Sequence, residues 1–92
     1  MYYHIMKKHN KPSDDPIHNR IAVLRAERGL SRRDLAEAVG VHYQTVGYLE
    51  RGEYAPSLSL AFKIARFFEL PLEAVFSDRP FDPMSRQLYA ER

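Results

Sequence analysis

Within one short stretch of the chain, His42, Tyr43, Gln44 and Tyr48 combine hydrogen-bonding groups with flat ring or amide surfaces. Gln44 is the most informative. Its amide donates and accepts at once, a bidentate fit to adenine N6 and N7 that a charged group lacks. Tyr43 and Tyr48 can each offer a hydroxyl to a base edge or phosphate, and ring surface to a thymine methyl. Packing on a neighbouring helix or a dimer mate is the other use of the same rings. Arg32 and Arg33 open what reads as a helix, an end where the dipole disfavours cations and favours an anion such as phosphate. A phosphate partner accounts for such a placement; a solvated surface charge is the plainer alternative. Catalysis finds no comparable support. No serine or lysine has a recognisable nucleophile setting, there is no glycine-rich phosphate loop, and Asp14, Asp15, Asp78 and Asp82 read as caps and turn residues. An enzyme is not expected. The chain has no cysteine, which removes thiolate nucleophiles, thiolate metal sites and a disulfide scaffold. His4 and His9 are too loosely spaced for a metal site, so neither metal nor cofactor is expected.

The elements that must position these side chains lie between Ser31 and Gly52. Ser31 can cap a helix start, with Asp34 at the reciprocal third position. Leu35, Ala36 and Val39 then form one apolar face at helical spacing. Gly40 suits the left-handed residue that ends a helix, a conformation costly for any side chain with a Cβ. Beyond this corner, Val46 and Leu49 mark the inward stripe of a second helix, about His42 to Arg51, ending at Gly52. With those two facing the core, His42, Tyr43, Gln44, Gly47 and Tyr48 are expected to look outward or sideways. Small Ala36 where two helices cross, Gly40 four residues on and Val46 six beyond that is the spacing of a DNA-binding helix-turn-helix. Gly47 breaks a local rule, since mid-helix glycine costs about 0.5–1 kcal/mol relative to alanine. A helix seated deeper in a groove would explain it.

Residues 16 to 76 resemble the Cro/phage-repressor-like (xenobiotic-response-element, or XRE, type) helix-turn-helix family. The resemblance is carried by NRIAVLRAERGLS, DLAEAVGV, QTVGYLERGEYAPSLSLAFKIARFF and LPLEAVF, in collinear order over about two thirds of the chain. Three features depart from the pattern: Arg32 where many relatives have Gln, Gly47 in mid-helix, and the outward Tyr43 and Tyr48. The resemblance implies a compact five-helix, all-α domain whose third helix enters the major groove. It also implies a partly buried Arg25–Glu50 ion pair holding the first helix against the third, against the plainer reading of two exposed charges. By the same resemblance Tyr43, Gln44 and Tyr48, with His42 beside them, become the base readers. Thr45 and Arg51 then meet the phosphate backbone together with Arg32 and Arg33, and the Gly52–Glu53–Tyr54 loop runs against it.

The rest of the chain is read around that domain. A length of 92 residues holds one domain with a small core. A hydrophobic content of 45% with 28% charged residues is that of a folded protein. A net charge of +2 is too mild to argue nucleic-acid binding by itself. No apolar run approaches a membrane span, and the N-terminus lacks a signal peptide's apolar core, so a cytoplasmic protein is expected. Residues 1–15 form an arm: Tyr2, Tyr3, Ile5 and Met6 can make a strand, while Lys7, Lys8 and Lys11 can reach a DNA groove, and a frayed terminus is the third option. A first helix is expected from Pro16, with Ile17, Ile21 and Leu24 inward and Gly29 as its close. After the Ala55–Pro56–Ser57 turn, Ser57 caps a fourth helix with Leu58, Ala61, Ile64, Ala65 and Phe68 inward. Phe62, Phe67, Leu70, Leu72, Val75 and Phe76 add apolar surface that a partner or a folded-back tail could cover. Residues 77–92 form that tail, a candidate docking or dimerisation segment, broken by Pro80 and Pro83, with Phe81 and Leu88 as anchors and Met84, Leu88 and Tyr89 at helical spacing.

These readings converge on an all-α DNA-binding transcriptional regulator, expected to be a repressor. Its partners are double-stranded DNA and a second copy of itself, paired on an inverted repeat with half-sites about one helical turn apart. The rivals are an antitoxin-like subunit that neutralises a partner protein through the apolar arm and tail, and a controller of a restriction–modification operon.

Overall fold

The computed structural model describes residues 16–82. The arm of residues 1–15 and the expected Met84, Leu88 and Tyr89 helix lie outside the described residues. Five helices follow in order: α1 (Ile21–Glu27), α2 (Arg32–Val39), α3 (Tyr43–Glu50), α4 (Leu58–Phe68) and α5 (Leu72–Val75). Two short strands, β1 (His18–Asn19) before α1 and β2 (Phe76–Ser77) after α5, pair antiparallel with His18 opposite Ser77 and Asn19 opposite Phe76. The fold is therefore mostly helical, with the start and end of the domain tied together.

That tie corrects the expected first helix. It begins at Ile21, not at Pro16, and Ile17 is 37% exposed instead of inward. Local chemistry at Pro16 permits a helix start, but the ladder to β2 holds the backbone extended. Arg20 N–H donates to Val75 O at 2.9 Å, continuing the tie, and Asn19 Oδ1 accepts from Ile21 N–H, the first of the helix, at 3.0 Å. A second correction falls in α4. Leu58, in its first turn, is 66% exposed, and Leu60 takes the inward place beside Ala61, Ile64, Ala65 and Phe68. Leu60 stands one helical turn before Ile64, so it shares the buried stripe.

The core is built from Ile21, Leu35, Val46, Leu49, Ile64, Phe68 and Val75, all fully buried. Each contributes about 1.5–3 kcal/mol by leaving water. Val75 and Phe76 complete this core, so part of the C-terminal apolar surface is consumed within the domain, while Phe62 stays 44% exposed. In the described part of the tail, Phe81 lies under the Arg20 guanidinium, 4.2 Å from it.

The α2–α3 unit follows its local code closely. Asp34 N–H donates to Ser31 Oγ at 3.0 Å while Ser31 N–H donates to Asp34 Oδ2 at 2.9 Å, a complete capping box. Ser31's backbone N–H, aided by its hydroxyl, holds the Asp34 carboxyl below its usual range. Gly40 ends α2 at φ +79°, left-handed, and its N–H donates to Ala36 O at 2.8 Å. Ala36 is 3% exposed in the α2–α3 contact, where a longer side chain would push the helices apart.

Candidate nucleic-acid interface

Helix α3 spends its inward stripe on Val46 and Leu49 and leaves an outer face. His42 is the cap of this helix, not its first turn: its Nδ1 accepts from Gln44 N–H at 3.2 Å. Its exposed ring stacks on that of Tyr43, with centroids 4.8 Å apart. Tyr43 is half-buried against the core edge and lies under Arg33, whose guanidinium is 4.0 Å from its ring centre. Packing and presentation therefore share this ring. Gln44 is exposed, Tyr48 is 45% exposed, and Thr45 is half-buried beside it. The Arg51 guanidinium lies 5.3 Å from the Tyr48 ring centre, and Arg51 Nε pairs with Glu53 Oε2 at 3.2 Å.

The face is held from behind by polar contacts. Arg25 Nε donates to Glu50 Oε2 at 2.6 Å and its Nη2 to Glu50 Oε1 at 3.3 Å. Its Nη1 also donates to Leu30 O at 2.8 Å, joining the α1–α2 turn to the same carboxylate. Arg32 Nε donates to Glu50 Oε1 at 3.0 Å, so one carboxylate serves two cations. The Glu50 side chain is only 4% exposed, against 17% for Arg25 and 44% for Arg32. The Arg25 contact thus carries most of the energy, because solvent screens exposed pairs. It also answers the puzzle of a cation at the start of α2. Arg32 already has a carboxylate inside the chain, so no phosphate is required to explain its position.

Asn19 is a positioning residue that sequence reasoning missed. Its Nδ2 donates to Leu49 O at 2.8 Å while its Oδ1 accepts from Ile21 N–H, so one amide fixes the end of α3 to the start of α1. An asparagine just ahead of an apolar helical stripe is a signal for a local side-chain to backbone bond at the helix start. The neighbouring Pro16 offered a competing start that drew the helix boundary too early.

Gly47, expected to look outward or sideways, is buried, with Arg32 and Arg51 lying over it. A Cβ at Gly47 would lie 3.2 Å from Arg51 Nη1 and 3.5 Å from Arg32 Nη1. A cleft of about 170 Å³ opens there, lined by Arg32, Tyr43, Gln44, Gly47, Tyr48 and Arg51. The structure thus gathers most of the sequence-predicted site residues around one strip of α3. Arg33 stands at its edge over Tyr43, and Thr45 lines a separate hollow with Tyr48, Glu53 and Tyr54. Among the described residues, no group of three or more His, Asp or Glu side chains is placed to hold a metal ion. No described helix is long and apolar enough to cross a membrane.

Two short helices joined through a left-handed glycine, the second offering an exposed polar and aromatic face, define a helix-turn-helix DNA-binding domain. The chain belongs to the helix-turn-helix family HTH_3, whose model matches residues 21–75. Over 58 residues it is 47% identical to an uncharacterized HTH-type transcriptional regulator of Methanocaldococcus jannaschii, covering 63% of this chain and 88% of that one. It is 48% identical over 58 residues to the uncharacterized HTH-type transcriptional regulator YgzD of Bacillus subtilis, with the same two coverages, 63% and 88%. The cryptic phage CTXphi transcriptional repressor RstR of Vibrio cholerae is 33% identical over 60 residues, 65% of this chain and 54% of the repressor. Among solved structures, the restriction–modification controller protein C.AhdI of Aeromonas hydrophila superposes with a TM-score of 0.57 at 33% identity, over 60% of this chain and 83% of the controller. The chain is a helix-turn-helix transcriptional regulator and not an enzyme.

Proposed function

We propose that this regulator is a repressor that binds an inverted repeat as a homodimer, each copy laying α3 in the major groove of one half-site. The observation that carries the reading is the outer face of α3: His42, Tyr43, Gln44 and Tyr48 stand together on a helix braced by Glu50 and Asn19. Gln44 reads adenine through its amide, and the two tyrosines, with His42, read neighbouring bases by hydroxyl and ring contact. Arg33 and Thr45, at the margins of the face, meet phosphates, and Arg32 and Arg51 add positive charge between them. One short helix reads only a few base pairs, so two copies about one turn apart supply the rest of the site. The likeness to a phage repressor supports repression as the mode of action. The likeness to C.AhdI supports a second reading, control of a restriction–modification operon, by the same DNA chemistry.

Selection of duplexes from a random pool tests the proposal. Wild-type protein should enrich a two-fold symmetric site, with two chains per duplex by sedimentation. Gln44→Ala should lose preference at one adenine in each half-site and keep the fold. Enrichment of asymmetric sequence by a single chain would refute the dimer, and co-purification of a stoichiometric small protein that abolishes DNA binding would favour the antitoxin-like alternative.

A further inference from the structure

We propose that the cleft over Gly47 is a guanine-reading pocket, with Arg51 and Arg32 as its paired donors. The inference rests on α3 occupying the major groove. Both guanidiniums are tethered through Nε, Arg32 to Glu50 at 3.0 Å and Arg51 to Glu53 at 3.2 Å. Their Nη1 ends converge within 3.5 Å of the one point a Cβ of residue 47 would occupy. Glycine is what leaves that space open. Its absent side chain leaves room for both arginine ends against α3, in a cleft also lined by Tyr43, Gln44 and Tyr48.

Arginine has only donors, so the occupant must present acceptors. In the major groove, guanine alone shows two adjacent acceptors, O6 and N7. Adenine and cytosine would each point an amino donor at the cations, and thymine offers one acceptor beside a methyl. A phosphate is the other acceptor DNA can bring. Yet the cleft is floored by the middle of α3 and walled by Gln44 and the tyrosines, the strip that meets base edges, while sugar-phosphate walls meet the margins of a groove-bound helix. The carboxylate pairs hold both side chains at Nε beside this spot before DNA arrives, so less side-chain freedom is lost on binding.

The test is duplex selection with the full chain, run in parallel for wild type, Arg51→Gln, Arg32→Gln and Arg33→Gln, followed by affinity measurements at several salt concentrations. Wild type should enrich guanine at one fixed position of each half-site. Arg51→Gln and Arg32→Gln should flatten preference at that position alone, by roughly 5- to 150-fold in discrimination, with the other letters kept. Arg33→Gln should weaken all sequences alike and lower the salt slope. Both cleft arginines are about half exposed, and thermal melting should show their variants folded. If either cleft variant weakens all sequences alike, with a lower salt slope and the guanine preference intact, that arginine contacts phosphate and the pocket is refuted. A selected site with no fixed guanine refutes it too, while leaving α3 as the reader. Failure to select any DNA would overturn the groove reading together with the pocket.

Discussion

Two residues show how burial decides what a charge is worth. Glu50 joins Arg25 and Arg32, but Arg25 is mostly buried and Arg32 is about half exposed. Glu50→Ala strands the Arg25 guanidinium against the core and should cost about 3 kcal/mol in denaturant unfolding, the range for breaking a buried pair. Arg32→Ala should cost under about 1 kcal/mol, since its pair is solvent-screened. Equal losses would mean that the two pairs share the load. Asp34 makes a pH-dependent contribution of opposite exposure. Its carboxyl accepts from the Ser31 backbone N–H, and its pKa is lowered from the ordinary 3.8. A depressed folded-state pKa contributes stability that is present above the unfolded value and lost as pH falls through the folded one. Wild type should therefore lose stability relative to Asp34→Asn as pH drops below about 4, measured by thermal melts across pH. Parallel curves for the two proteins would exclude the capping carboxylate as the titrating group.

At the scale of elements, α3 is the piece whose orientation matters, and two substitutions probe it separately. Asn19→Ala removes the bond from Ile21 N–H and the bond to Leu49 O together. It should cost at least about 1 kcal/mol in stability and speed amide exchange at the end of α3. Gly47→Ala should stabilise the free protein by about 0.5–1 kcal/mol through helix propensity, because the new Cβ meets only the far ends of the Arg51 and Arg32 side chains, which can shift. The same change displaces the cleft arginines and should weaken binding to the selected site. Stronger or unchanged binding would sever Gly47 from function. The α2 cap, the Gly40 corner and the α3 stripe were legible in the sequence because capping chemistry and glycine conformation act over a few residues. The start of α1 was not, because the β1–β2 ladder joins positions more than fifty residues apart and overrides the local signal at Pro16. Leu58 and Leu60 sit in one apolar run, and only the packing of α4 on the core distinguishes them.

Among the described residues, one small core positions the outer face of α3 that we propose reads DNA, and contacts from Asn19, Arg25 and Arg32 brace that helix. Ile21 of α1, Leu49 of α3, and Ile64 and Phe68 of α4 pack as one cluster, so helix–helix geometry at α3 is set by several elements together. The site itself was partly visible from sequence: the outward positions follow from the period of Val46 and Leu49. Gly47 lay hidden because its cover comes from Arg32, a residue on another helix, and Asn19 because its partner carbonyl is thirty residues away. Backbone amide shifts recorded while the full chain is titrated with its selected duplex test the central claim most directly. The largest changes should map to residues 42–51 and to Arg32, with the buried residues of α4 nearly still. Large movements elsewhere on the surface, with 42–51 unperturbed, would contradict the account.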